Sequence, residues 1–250
     1  MGWRAAVRTL LVLAATAACV GLGVWQLARL HEKHVLHAAQ RGLLAQPPIE
    51  VTQALPGDTP VAGRRVHVRG RWDRSLHILL SGRTHLGAAG VTLLSPLRLA
   101  SGQAVLVERG WLPAADARIA HPEHFPDSTA DLTGIALPFA RSPHPVAWVR
   151  LESDSAGVVL WSARAPEADT AAARMAGPLA PWLLRALPDA AAPHVLAGEP
   201  APLVEPYQVP DEAMHLSYAI QWFAFAGMIG FGSLALAVRS ARARGSASAG

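Results

Sequence analysis

Side chains able to bind a metal or move a proton gather at two points of this chain, each at the edge of an apolar run. The first is His215-Leu-Ser-Tyr-Ala-Ile-Gln-Trp-Phe-Ala-Phe-Ala226. At 100° per residue a helix sets His215, Tyr218, Trp222, Phe225 and Ile229 within about 80° of one another. Two chemistries are open to such a face. A neutral imidazole against aromatic walls can ligate a haem iron or another metal. Equally, Tyr and Trp anchor a helix at a membrane interface while a histidine bonds nearby water. The second point is Gly21-Leu-Gly-Val-Trp-Gln-Leu-Ala-Arg-Leu-His-Glu-Lys33. On a continuous helix Trp25, Gln26, Arg29 and Lys33 lie within about 100°. Interface anchoring accounts for Trp25 and for the stem of Arg29. It does not account for the hydrogen-bonding Gln26 on the same face.

Other candidates carry less. His31, His34 and His37 follow at i, i+3 and i+6, a spacing that attracts copper but more often marks a solvated helix face. His121-Pro-Glu-His124 sits in a Pro-rich stretch with few groups to complete a site. There is no Gly-x-Ser-x-Gly elbow, phosphate loop, dinucleotide fingerprint or zincin motif, so the reading is a protein that is not an enzyme. Cys19 is the only cysteine, which excludes an intrachain disulfide, Cys-x-x-Cys redox chemistry and thiolate clusters. The net charge of +4 is spread over strands and tails, with Lys33 the only lysine, and argues against nucleic acid as a partner.

The elements that position these groups are two apolar stretches. Leu216 to Val238 carries no formal charge, and as a helix it covers roughly 34 Å, enough for a hydrocarbon core of about 30 Å. The second transmembrane helix is placed at 215–238, its Gly227, Gly230 and Gly232 being better tolerated in lipid than in water. Residues 10–28 form the first, between Arg8 and Arg29. Ala15-Thr-Ala17 resembles a signal-peptide cleavage site, but the run continues to Leu27, longer than a leader's apolar core, so a retained span is expected. A hydrophobic fraction of 51% and a mean hydropathy of +0.24 agree with membrane lipid as a partner.

No Lys or Arg stands between Arg185 and Arg239, whereas Arg239, Arg242 and Arg244 follow the second span. The positive-inside rule puts this end in the cytoplasm, although Arg29, Lys33 and Arg41 vote the other way. Expected are cytoplasmic tails at 1–9 and 239–250 and an extracytoplasmic domain at 29–214.

Within that domain Arg65-Val-His-Val-Arg-Gly-Arg-Trp72 alternates as a half-buried strand. Leu76–Leu80, Val91–Leu94, Ala104–Val107, Leu132–Leu137, Ala147–Leu151 and Val158–Trp161 read as further strands. Ser81-Gly82, Ser101-Gly102 and Ser153-Asp154 read as turns, Pro47-Pro48 and Pro56-Gly-Asp58 as loop. Glu108-Arg109 reads as a central strand's end followed by a turn. Alanine-rich 168–187 reads as one interrupted helix, and the Pro-rich 188–210 as an extended tether. The expected fold is thus a membrane protein: two terminal transmembrane α-helices flanking an extracytoplasmic α+β domain rich in antiparallel β.

Three motifs, in order, carry a resemblance that covers most of the chain. Gly23-Val-Trp-Gln-Leu-Ala-Arg-Leu-His-Glu-Lys33 is similar to the Gly-x-Trp-Gln-x-x-Arg-x-x-x-Lys motif of the surfeit-locus cytochrome c oxidase assembly factors (SURF/Shy type). Gly87–Pro96 with Val105-Leu-Val-Glu-Arg-Gly-Trp-Leu-Pro113 resembles their central signature. His215-Leu-Ser-Tyr-Ala-Ile-Gln-Trp-Phe resembles their His-Leu-x-Tyr-Ala-x-x-Trp-Phe entry to the second span. Where that family usually has Asn or other polar residues before the histidine, Ala213-Met214 stand here.

The resemblance implies a non-enzymatic bacterial inner-membrane protein of the respiratory chain, with its domain in the periplasm. It would bind haem A as transient cargo and assist its insertion into the catalytic subunit of a haem-copper oxidase, with haem A synthase as a further partner. The matching histidine, His215, would be the axial ligand to the haem iron. Tyr218 and Trp222 would wall the site, and Trp25, Gln26 and Arg29 would steady the helix mouth or a propionate. The alternative is a scaffold that stabilises an oxidase subunit and never touches haem.

Overall fold

The computed structural model describes residues 2–51, 61–73, 76–118, 120, 129–139, 146–152, 158–175, 177–188, 202–204, 206–207 and 213–247, of which 243–247 are described by backbone alone. The chain divides into a helical unit, 1–41 with 209–250, and a β unit, 42–208. The Pro56-Gly-Asp58 loop, His121–His124, the Ser153-Asp154 turn and most of the Pro-rich tract lie outside the described residues.

Two long helices make the helical unit: α1, Trp3–Ala45, and α3, Ala213–Ala247. Both are long and apolar enough to cross a membrane. Runs of Ala and Leu favour the helix, and α1 extends past both ends of its apolar stretch. It stops just before Pro47-Pro48, where the residue ahead of a proline is pushed out of the α region.

The β unit holds β1 (Ile49–Val51), β2 (Arg65–Trp72), β3 (Leu76–His85), β4 (Ala88–Arg98), β5 (Ala104–Pro113), β6 (Thr129–Pro138), β7 (Val149–Leu151), β8 (Val159–Ala163), the short helix α2 (Ala168–Ala172) and β9 (Leu179–Ala186). The strand order is β1-β2-β6-β9-β5-β4-β3-β8-β7, and β2 also pairs with β4 through Arg71–Arg98 and Trp72–Leu97. That last pairing closes β2, β6, β9, β5 and β4 into a ring. Neighbours are mostly antiparallel, but β1–β2, β3–β8 and β5–β9 are parallel.

Period-2 alternation on the ring strands builds two apolar cores around β5 and β9, beside a third cluster that holds Leu79, Val91, Leu93 and Leu112. Val66, Val68 and Trp72 of β2, Val105 and Val107 of β5, and Trp182 and Leu184 of β9 belong to one buried cluster. Leu106 and Leu183 face the other way, into a second cluster with Ile78, Leu80, Leu94, Ala163 and Ala171 of α2. Strand β5 is therefore buried on both faces, which is why Ala104-Val-Leu-Val107 reads as an unbroken apolar run.

Three expectations need correcting. Alanine-rich 168–187 is not one helix: α2 spans Ala168–Ala172, and Leu179–Ala186 is β9, a central strand between β5 and β6. Leucine and tryptophan here alternate into the two cores, and tertiary pairing overrides alanine's helix propensity. Pro181 is accommodated because the β5–β9 register shifts between Ala104 and Leu106, and β6 pairing stops at Trp182. Second, Ser81-Gly82 is not the hairpin turn but an irregularity inside β3. The chain turns instead at Leu86 and Gly87, both at positive φ (47° and 84°), the signature of a type I′ hairpin. Third, Glu108-Arg109 does not end β5, which carries on to Pro113 past a register shift opposite Leu93/Leu94.

Candidate functional site

The helical unit is built on small residues. Contacts run Thr16 with Gly230, Gly23 with Phe223 and Gln26 with His215, so α1 and α3 are antiparallel. A Cβ placed on Gly23 would stand 2.7 Å from Phe223 Cε1, and one on Gly230 would stand 3.8 Å from Thr16 Cγ2. Only a glycine at 23 lets the Phe223 ring lie on the α1 backbone. Ala219 and Ala226, seven residues apart, are buried on the same side of α3. Small residues letting backbones approach are what pair helices where no hydrophobic difference from the surroundings drives them together.

One turn beyond this seam lies the pair of groups that could do chemistry. His215 Nδ1 is 2.9 Å from Gln26 Oε1. An amide oxygen only accepts, so Nδ1 carries the hydrogen of this bond, and in the neutral ring Nε2 is then the nitrogen with the lone pair. By helical angle His215 falls between the seam positions Ala219 and Ala226 and the stripe of Tyr218, Trp222, Phe225 and Ile229, within about 80° on either side.

Of the residues singled out from sequence, Gln26 and His215 meet across the two helices. Trp222 packs edge-on against Phe225, with ring centroids 5.9 Å apart at 78°. Tyr218 and Trp25 are exposed on their helices. Arg29 is also exposed and binds Glu32 one turn on, Nη1 to Oε2 at 2.5 Å. The other histidine candidates of α1 form no metal cluster among the described residues.

The β unit has features that sequence reasoning missed. A cleft of about 540 Å³ is lined by residues of the central signature (Thr92, Glu108, Gly110 and Trp111) together with Arg185 and Tyr207. Arg185 forks onto Glu108, Nε to Oε1 at 3.1 Å and Nη2 to Oε2 at 3.3 Å. Leu203 exchanges two backbone hydrogen bonds with Trp111, beyond the end of β9. Gly110, at φ 131°, is required there, since a Cβ would fall 2.5 Å from Leu203 O. Its neighbour Arg109 lies 4.3 Å over the Trp72 ring, and burial lowers its pKa to about 10, still charged at neutral pH. The Gly-Trp pair in the signature was the signal; its partners at 185 and 203 are too distant in sequence for any periodicity to find.

On the outer face of the same unit, His67 bridges three strands. Its Nδ1 binds Glu50 Oε2 of β1 at 2.6 Å and its Nε2 binds Asp131 Oδ1 of β6 at 2.5 Å, while Arg69 also holds Asp131. The Glu50 hydrogen bond, opposed by partial burial and helped by Asp131, raises the His67 pKa. Hydrogen bonding from Arg69 and His67 lowers that of Asp131.

Among the described residues, paired apolar helices flank a nine-stranded β unit in sequence and carry a histidine–glutamine couple, which defines a β-rich protein with two candidate membrane spans. The chain belongs to the SURF1 family, whose model matches residues 13–227. That match includes Trp25, Gln26 and Arg29 as well as His215, Tyr218 and Trp222. Among similar proteins are SURF1-like proteins of Rickettsia felis, 28% identical over 52% of this chain and 56% of the relative, and of Rickettsia conorii, 26% identical over 48% and 49%. A SURF1-like protein of Dictyostelium discoideum is 31% identical over 36% of this chain and 37% of its own. The chain thus spans about half the length of the Rickettsia relatives and less of the Dictyostelium protein.

Proposed function

We propose that this protein is a non-enzymatic assembly factor for haem-copper cytochrome c oxidase. It holds haem A at His215 and passes it to the oxidase's catalytic subunit. Helices α1 and α3 cross the bacterial inner membrane, both termini lie in the cytoplasm and the β unit lies in the periplasm. Family membership supports the oxidase role, and the basic residues after Val238 support the orientation.

The observation that carries the haem reading is the Gln26–His215 hydrogen bond. It commits Nδ1 as donor, so that in the neutral ring the lone pair that ligates iron sits on Nε2. The Trp222–Phe225 edge contact provides an apolar wall beside it. Arg29 is an exposed partner of Glu32, an ion pair of a kind worth about 0.2–1 kcal/mol, so a haem propionate can compete for the guanidinium.

The experiment is complementation. Cells lacking the protein should assemble oxidase with depleted haem A, and the chain with His215→Ala should fail to restore it although present in the membrane at normal abundance. Full restoration by that variant favours a scaffold that supports an oxidase subunit without touching haem.

A further inference from the structure

Given the reading of His215 as the haem ligand, the geometry points to Gln26 as the residue that sets how tightly the iron is held. The hydrogen bond on the far nitrogen of a ligating histidine fixes the ring's tautomer and orientation, and its strength sets how much electron density Nε2 gives to the metal. Resident metal sites often place a carboxylate there, which makes the imidazole a strong donor. In this chain the acceptor is a neutral amide oxygen at 2.9 Å, a weaker one.

The acceptor is also held in place from outside the couple. Gln26 lies one turn from Gly23, whose missing side chain lets Phe223 seat on α1, and His215 lies one turn from the buried Ala219. The seam fixes the register of the two helices, and the register brings the amide to the imidazole. A ligand oriented by the packed seam but weakly polarised binds in a defined pose and releases readily. That combination suits cargo in transit rather than a permanent cofactor. Gln26 is therefore a positioning residue acting through His215, with no contact to haem required.

The test uses the full chain purified with haem A, and reads the reduction potential of the bound haem and its rate of loss to apomyoglobin. Gln26→Glu keeps the shape and supplies a charged acceptor: the potential should fall, and haem loss should slow about tenfold or more. Gln26→Leu removes the acceptor: haem loss should accelerate about 10- to 100-fold. A disulfide between Thr16→Cys and Gly230→Cys, in a Cys19→Ser background, verifies that each variant keeps the seam. If both variants match the parent in potential and loss rate while His215→Ala is empty of haem, Gln26 has no such role and the haem reading stands. If His215→Ala keeps its haem, the reading beneath this inference falls, and the inference with it.

Discussion

His67 shows how a single residue can tie a small strand to a sheet. Both ring nitrogens face carboxylates, on Glu50 and Asp131, so the folded state favours the imidazolium. Its pKa is raised above the ordinary 6.5, and the clamp's contribution is therefore complete below about pH 6.5 and is lost as pH rises through the higher folded value. Asp131 is shifted the other way, below 3.8, so its share is complete above that value and is lost only as pH falls through the lower folded one. The melting temperature of the full chain in detergent should exceed that of His67→Gln most clearly near pH 5, with the gap narrowing towards pH 8. A gap that widens with pH would contradict the assignment. The sequence made half of this visible: alternation in Arg65-Val-His-Val-Arg69 placed His67 on the polar face of a strand. Its partners, 17 and 64 positions away, come from strand pairing, which no local pattern encodes. The same holds for Gln26 and His215, which the sequence put at two helix mouths without showing that they touch.

At the scale of elements, what was legible depended on whether local pattern and tertiary pairing agreed. The apolar helices and the strictly alternating β2 were read correctly because length and period suffice for them. Strand β9 was misread because its Ala, Leu and Pro181, behind Gly177-Pro178, give no clean period, and its place is decided by β5 and β6 on either side. The continuation of β5 through Glu108-Arg109-Gly110 was missed because a bulge looks like a turn in sequence. The α1–α3 seam makes a sharp prediction of its own. Gly23→Leu drives a side chain into the Phe223 ring, so the ring leaves its seat on α1 or the two helices shift. In a Cys19→Ser background, cysteines at Thr16 and Gly230 should cross-link readily in the parent and at least tenfold more slowly with Gly23→Leu. Equal rates would mean that the helices are held together some other way.

For the whole molecule, two apolar helices with a β unit between them in sequence suit a protein that works at a membrane surface. The orientation rests on Arg239, Arg242 and Arg244, and it predicts that alkaline phosphatase is active when fused near Gly134 and inactive when fused after Val238. Activity at the second fusion would reverse the topology and move His215 to the opposite membrane face. The family was legible from three motifs, and each holds a residue in close contact with another part of the chain. Gly23 faces Phe223, Gly110 faces Leu203, and His215 faces Gln26. Whether the chain carries haem A on His215 is read directly from the absorption spectrum of the protein purified from cells that make haem A. A Soret band in the parent that is lost in His215→Ala, with both proteins inserted equally, is the predicted result. An equally strong band in His215→Ala, or none in either protein, would contradict it.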